Sequence, residues 1–383
     1  MKPRVVFALP ALALLHCGSS GDPPSSEAGD TGAPLEASAP APDATADAAA
    51  ADASPADGGS PSDAAGTPDA PPDAAAPLRI EAWIYPGDPA CNAAAEYSDG
   101  RHIDVLKPEY YKADDTGALV QRTVASDGCN GYSAANAADV KAHSARQLVT
   151  VSADGAQVGA VCNDTTKRAT AVSTLVSFVQ QIGFSGVDVD FEGLGATDYP
   201  GYLAFLKALG DALHAQGLLL EIDVTAYASD ADEKLDAFRY EDVDPLPVDG
   251  IVIMAYDYMT DYSPNGAGDP IAPNDWVASV LAYTFPKIKD PSRLVVGIPS
   301  YGYSGKTGSF TVDREPSSHF SSLSGAATAT TFPNASERTW ASQGTSYVFV
   351  DGPGLDAKRD VIAGKGATAI SVWHLGGNPW FTN

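Results

Sequence analysis

An α/β fold, a TIM (β/α)8 barrel with a small insertion between strands 7 and 8, is what three observations on the sequence predict. Residues 78–383 number about 306, the size of one large α/β domain. Eight short apolar or alternating runs recur in that stretch, around residues 79–85, 102–106, 147–152, 186–192, 218–225, 250–256, 293–300 and 367–373. Helical patterns separate most of them, and strand alternating with helix about eight times argues for a closed parallel barrel in preference to an open sheet.

What precedes the barrel reads differently. Lys2 and Arg4 stand before an apolar stretch, residues 5–15, that ends at Leu14-Leu15-His16-Cys17-Gly18. This is the form of a secretory signal peptide and is too short to span a membrane. Cys17 resembles a bacterial lipoprotein processing site, although His16 is unusual there and ordinary signal cleavage competes. A lipidated Cys17 would anchor the mature chain to a membrane that it does not cross. Residues 18–77 contain Ala, Pro, Asp, Ser and Gly with no Lys or Arg. They cannot bury enough surface to offset ordering entropy, so they are expected to be a disordered tether, with a reach of roughly 45 Å. The expected location is therefore the cell envelope, as a lipoprotein, or the extracellular space.

The net charge is −26. Residues 18–77 carry eleven acids and residues 1–17 two bases, leaving 21 basic and 38 acidic groups, or −17, for the barrel. Nucleic acid is excluded as a partner, since phosphate binding needs a basic surface; a neutral substrate is compatible. Besides Cys17 there are Cys91, Cys129 and Cys162. In an exported chain one pair is expected to form a disulfide, and the sequence does not say which. No CxxC or HxxxH spacing points to a metal.

Within the barrel, residues 166–182 place Val172, Val176, Val179 and Ile182 on one helical face, with Gly183 as the stop. Asp198 is placed to cap a helix carrying Tyr202, Phe205, Leu209 and Leu213, ended by Gly217. Residues 274–288 repeat the pattern with Trp276, Val280, Leu281 and Phe285. Residues 303–346, rich in Ser, Thr, Gly and Ala, fit an irregular or β-rich excursion and are too long for a bare loop.

The chemistry is placed at residues 182–193. Asp188, Asp190 and Glu192 alternate with Val187, Val189 and Phe191, the two-residue period of a strand. The three acids therefore share one face, about 6.6 Å apart, and the apolar trio faces a covering helix. Like charges that close in a partly dry site cannot all stay ionised, so at least one carboxyl group is held protonated. Glu192, last in the row, lies at the carboxyl end where such barrels place active sites. An isolated DxD on a strand is more often a solvated edge; the Val, Val and Phe between these acids argue against that reading.

The run from Gly186 to Glu192 resembles the signature of glycoside hydrolase family 18, written DGxDxDxE, with Ser185 at the first acidic position. Met254-Ala255-Tyr256-Asp257 is similar to the family's MxYD motif, and Trp373 stands where the family places the tryptophan beneath the reacting sugar. The segments at Gly297–Tyr303 and Pro270–Trp276, with Trp380, resemble the branch of bacterial cell-wall and spore-cortex hydrolases. Ser152-Ala153-Asp154-Gly155 departs from the family's SxGG.

The resemblance implies a retaining glycosidase acting on β-1,4-linked N-acetylglucosamine polymers of the chitin or peptidoglycan type. The substrate's acetamido oxygen would serve as nucleophile, because Asp190 and Glu192 on one strand cannot attack a ring from opposite faces. Glu192 would be general acid and base, Asp190 would orient the acetamido group, Asp188 would tune Asp190, and Tyr256 would donate to the acetamido oxygen. Asp257, Met254, Trp373 and Tyr301 would bind substrate. No cofactor or metal is implied, and the chain is expected to be a monomer. Read alone, Met254, Tyr256 and Trp373 would be core residues, and His374 a structural histidine. Trp83 and Tyr85 would line a distal subsite or simply pack. Glu221 and Asp223, on the fifth predicted strand, form a second acidic face and a less favoured working pair. A different class of function, a catalytically silent glycan-binding lectin on the cell surface, is disfavoured by the presence of Glu192.

Overall fold

The computed structural model describes residues 78–87 and 90–382. The expected signal peptide with Cys17 and the tether of residues 18–77 lie outside the described residues.

All eight predicted strands form. Strand β1 spans Arg79–Ile84 and β2 Val105–Ala113, while β3, Leu119–Gln121, turns back as an antiparallel hairpin on β2. The barrel continues through β4 (Arg146–Asp154), β5 (Gly186–Glu192), β6 (Leu219–Thr225), β7 (Gly250–Met254) and β8 (Leu294–Pro299). Five short strands follow: β9 (Tyr301–Lys306), β10 (Asp313–Pro316), β11 (Thr330–Thr331), β12 (Arg338–Ser342) and β13 (Thr345–Phe349). Strand β14, Ala369–Trp373, then pairs in parallel with both β8 and β1, and β1 pairs with β2, so the sheet closes. Closure removes the exposed edges that an open sheet would carry.

The second strand runs from Val105 to Ala113, later than the expected 102–106. Lys107, Pro108 and Glu109 interrupt its apolar alternation, and both charged side chains are buried inside the barrel, so a hydrophobicity pattern cannot reveal it.

The helix Thr165–Ile182 is capped by Asp164, which accepts from the Thr166 and Lys167 amides, and stops at Gly183 in the left-handed region. Asp198 precedes the helix Tyr199–His214 but makes no capping bond, contrary to expectation; its carboxylate instead accepts from the Asn163 side chain at 2.8 Å. Phe205 of that helix stacks on Phe191, with ring centroids 5.3 Å apart. Val187 and Val189 are fully buried on the same outward face of β5, as the alternation requires.

Strands β9 to β13 form one antiparallel sheet in the order β10-β9-β13-β12-β11, set between β8 and β14. A buried ion pair binds this insertion to the rest. Glu337 accepts from the Ile271 and Ala272 amides at 2.7 and 2.8 Å, and Lys358 meets it at 2.8 Å while donating to the Ala272 carbonyl at 2.6 Å. Both side chains are fully buried with their partners supplied, and losing one member of such a pair costs about 3–5 kcal/mol.

The barrel interior is divided. Trp83, Val252, Val295 and Ala369 form a small apolar cluster. Beside them lie the buried charges Glu81, Lys107, Asp188, Glu221 and Asp223. Among the cysteines, Cys91 and Cys129 are bonded and Cys162 is a buried free thiol. No helix among the described residues is long and apolar enough to cross a membrane.

Candidate active site

Strand β5 carries its acids from the interior to the mouth of the barrel. Asp188 is fully buried; one of its oxygens accepts from Trp83 Nε1 at 2.9 Å and from Thr150 Oγ1 at 2.8 Å. Asp190 is half-buried, and its Oδ1 has no hydrogen-bond partner. Glu192, at the carboxyl end, reaches solvent through the open mouth. Ser185, at the opposite end of the strand, is occupied with strand pairing: its amide donates to Gln147 and its carbonyl accepts from Leu219. The missing first acid of the motif therefore concerns the base of the strand, away from Glu192.

Proton affinities follow this arrangement. Burial, then the nearby Glu192, Glu109, Asp188 and Asp154, push Asp190 well above the ordinary carboxylate range. Burial and the charges of Asp154, Asp257 and Asp261 raise Glu192 to about 7, with Arg314 opposing. Asp188 is raised as well, by burial, with Lys107 opposing, so all three acids of the row are shifted toward their protonated forms.

Strands β7, β8 and β14 run parallel to one another in the same closed sheet and bring further residues to its mouth. Tyr256 follows β7, and burial with the charges of Asp223, Asp190, Glu192 and Asp257 drives its hydroxyl far above its usual pKa, so it remains a donor. Gly297 of β8 makes room for it: a Cβ there would lie 3.0 Å from the Tyr256 ring and 3.1 Å from the Ile253 carbonyl. Met254 lines a small cavity of ≈ 20 Å³ together with Glu192, Asp223, Thr225 and Asp236, which places it beside the acid and not simply in the core. Asp257 adopts a left-handed conformation, φ 59°, and accepts from the hydroxyls of Tyr301 and Tyr303, the latter at 2.8 Å. Tyr301 is itself fully buried. Its expected contact with substrate is therefore corrected to a brace for Asp257.

Trp373, ending β14, is half-buried, with Trp83 edge-on at 5.6 Å and Tyr85 at 6.4 Å. Trp83 is 1% exposed and spends its indole N–H on Asp188, so it supports the site from inside and lines no distal subsite. The loop after Trp373 is held by Glu96, which accepts from the amides of Gly376, Gly377 and Asn378. Gly376 is required there, since a Cβ would come within 2.3 Å of the Ala90 Cα. His374 is buried, and desolvation lowers its pKa to about 4; its Nδ1 contacts the Leu375 carbonyl, consistent with a structural histidine. Glu221 lies inside the barrel, bound to Lys107 at 2.7 Å, so it does not pair with Asp223 at the mouth; Asp223 is buried too but lines the small cavity with Glu192.

Several residues at the site carried no readable signal. Arg314, from β10 of the insertion, stands 5.8 Å over the Trp373 ring and 5.5 Å over Tyr301. Glu109 of β2 accepts from Arg122 and, at 2.5 Å, from Ser152, which is the register partner of Asp190. Asp154 pairs in register with Glu192 across β4 and β5. Its departure from SxGG is the one clue the sequence offered, and the Coulomb repulsion it exerts on Glu192 has a consequence. Asp154→Asn lowers the Glu192 pKa and so moves the alkaline limb of the activity profile down by roughly half a pH unit. A kcat/KM profile coincident with the parent's would show that Asp154 does not act on Glu192.

Among the described residues no cluster of His, Cys, Asp and Glu is arranged to hold a metal. What the arrangement can do is deliver a proton from a carboxyl at the mouth of an acid-lined cleft. Tyr256, whose hydroxyl feels the charge of Glu192, and Trp373 follow or end β7 and β14 at the same rim.

Comparison with known proteins agrees with the motifs. The sequence matches Glycosyl hydrolases family 18 over residues 116–377. It is 29% identical over 145 residues to the cortical fragment-lytic enzyme of Bacillus subtilis (strain 168), covering 37% of this chain and 32% of that protein. The chain spans between about a quarter and a half of the length of the curated relatives it matches. The chitinase of Chromobacterium violaceum ATCC 12472 superposes with a TM-score of 0.65 at 21% identity, over 78% of this chain and 94% of that one. The spore cortex-lytic enzyme SleL of Bacillus cereus superposes with 0.64 at 18% identity, over 78% and 71%. At those identities the likeness shows the fold, whereas the match across some two thirds of the sequence, the strand-end motifs included, shows the lineage: this chain belongs to glycosyl hydrolase family 18.

Proposed function

We propose that the protein is a retaining glycosidase that cleaves β-1,4-linked N-acetylglucosamine polymers, of the chitin or peptidoglycan type, by substrate-assisted catalysis. The observation that carries this reading is the single-strand row of Asp188, Asp190 and Glu192, with Asp190 and Glu192, the two nearer the mouth, both pushed above the ordinary carboxylate range. Glu192 protonates the leaving oxygen while the substrate's own acetamido oxygen attacks the anomeric carbon from the other side. Asp190 receives the acetamido N–H and stabilises the positive charge that develops there, an electrostatic contribution of several kcal/mol in a preorganised site. Tyr256, kept protonated by its acidic surroundings, donates to the acetamido oxygen. Trp373 offers an apolar face to the sugar ring, and Asp257, held by Tyr301 and Tyr303, accepts from a sugar hydroxyl. Water activated by Glu192 completes the reaction.

The test is to incubate the protein with chitin and with purified peptidoglycan and to identify the released sugars by mass and by anomeric NMR. Products ending in N-acetylglucosamine with a β-anomer formed first support the proposal. Initial release of the α-anomer would remove the acetamido mechanism, and tight binding without turnover would make the protein a lectin.

The working form is read as a monomer exported to the cell envelope and anchored through Cys17. The Cys91–Cys129 disulfide supports an oxidising compartment. Fatty-acid labelling of the intact chain that persists in Cys17→Ala would refute the anchor.

A further inference from the structure

Lys107 is fully buried within the barrel, on β2, and the substrate-assisted scheme above gives it no part. Its ammonium sits 3.8 Å over the ring of Trp83, the same indole that donates to Asp188 and stands edge-on to Trp373. It lies 2.7 Å from Glu221, 3.3 Å from Glu81 and 3.8 Å from Asp188 Oδ1, an oxygen with no hydrogen-bond partner. A dry interior does not retain an ammonium group without a reason, because removing it from water costs several kcal/mol.

The groups around it can be taken strand by strand. Strand β1 contributes Glu81, which Arg79 also meets at 2.8 Å. Strand β2 contributes Lys107 itself and, nearer the mouth, Glu109, already engaged by Arg122 and Ser152. Thr150 of β4 donates to Asp188, and β6 brings Glu221 and Asp223. On the far side Val252, Val295 and Ala369 are apolar. Lys107 is therefore the fully buried cation among five inward acids: Glu81, Asp188, Asp190, Glu221 and Asp223.

Asp188 and Asp190 are unequal within this field. Asp188 faces the ammonium and accepts two hydrogen bonds, all of which favour its charged form. Asp190 has no cation beside it and faces Glu192, Glu109, Asp188 and Asp154. Burial raises both groups, and Lys107 is the largest influence pulling Asp188 back down.

We propose, resting on the substrate-assisted reading above, that Lys107 is a positioning residue for the glycosidic reaction. Seated on Trp83 and facing Asp188, it keeps Asp188 the anion of the Asp188/Asp190 pair and leaves the pair's proton on Asp190 beneath the sugar. A protonated Asp190 hydrogen-bonds a neighbouring carboxylate through its O–H and accepts the acetamido N–H on its other oxygen. No covalent bond changes at Lys107, and no proton leaves it.

The experiment uses the full chain and two variants. Lys107→Met combined with Glu221→Gln removes the ammonium and its nearest carboxylate together, so the interior charge balance is kept. Lys107→Arg restores a cation. Two readouts are taken: pH profiles of kcat and KM on a fluorogenic chito-oligosaccharide, and pH titration of Asp side chains labelled with 13C in the carboxyl, assigned with Asp188→Asn and Asp190→Asn. In the double variant kcat is expected to fall at least about tenfold, with KM changed by less than about threefold. The acid limb of the profile moves up by about one unit, because Asp188 without its cation takes up a proton at higher pH. Lys107→Arg recovers part of both effects, and the 13C signal of Asp188 moves with the kinetics. A folded double variant with the parental acid limb and an unmoved Asp188 signal overturns the proposal. If the parent hydrolyses no such glycoside, the glycosidase reading fails by itself, and the Asp188 titration still decides whether Lys107 sets that charge.

Discussion

Turnover of a chito-oligosaccharide glycoside falls by about 10²–10⁴-fold in Glu192→Gln, the range a positioned general acid contributes. The substitution keeps the shape and the hydrogen-bonding reach of the side chain and removes only the transferable proton. Because Glu192 ends β5 at the open mouth, the change disturbs no buried partner, and folding should be untouched. Substrate affinity is expected to stay within a few-fold of the parent. The parent's own pH profile carries the same signature: with Glu192 raised to about 7, the protonated form needed for the first step is lost as pH climbs through neutrality, so kcat/KM declines on the alkaline side. A Glu192→Gln protein that retained parental turnover would place the acid elsewhere, with Asp257 the next group to test.

Asp190→Asn is the second large effect, expected at about 10²–10³-fold in kcat, the scale of losing one preorganised electrostatic contact. The amide has no acidic O–H to share with the Asp188 carboxylate, so the negative charge of the pair no longer reaches the oxazolinium ion, and its NH2 group competes as a donor where the acetamido N–H must be received. An interaction made mainly in the transition state lowers kcat and kcat/KM together, leaving KM nearly constant. The stronger check pairs enzyme with substrate: replacing the 2-acetamido group by hydroxyl should cost the parent a large factor and the Asp190→Asn protein little more, since both changes remove the same contact. Strict additivity of the two losses would show that Asp190 does not serve the acetamido group.

Much of this site was legible because barrels convert sequence into geometry in a simple way. Alternation along β5 placed Val187, Val189 and Phe191 outside and Asp188, Asp190 and Glu192 inside, and the coordinates follow it. The ends of β7 and β14 brought Tyr256, Asp257 and Trp373 to the same rim, as residues at barrel strand ends must be. The less legible parts have particular physical causes. Strand β2 lies later than its apolar pattern predicts because its inward residues are charged, and the rule that buried means apolar fails where charges neutralise one another. The family resemblance of Gly297–Tyr303 implies a substrate contact for Tyr301, whereas its hydroxyl is turned to Asp257. Arg314 sits about 60 residues before Trp373 in the chain, on an insertion whose composition says only that it is not a helix.

By itself the sequence determined the class of barrel, the strand that carries the acids and the order in which those acids run from interior to mouth. These rest on local periodicity, and a period of two fixes which side of a strand each side chain takes. Only the tertiary structure decided which acid meets Lys107, which receives the Trp83 and Thr150 hydrogen bonds, and which faces chiefly other acids. Those assignments depend on side chains from four strands converging within a few ångströms in a dry interior, where position across the barrel and not along the chain sets each group's charge.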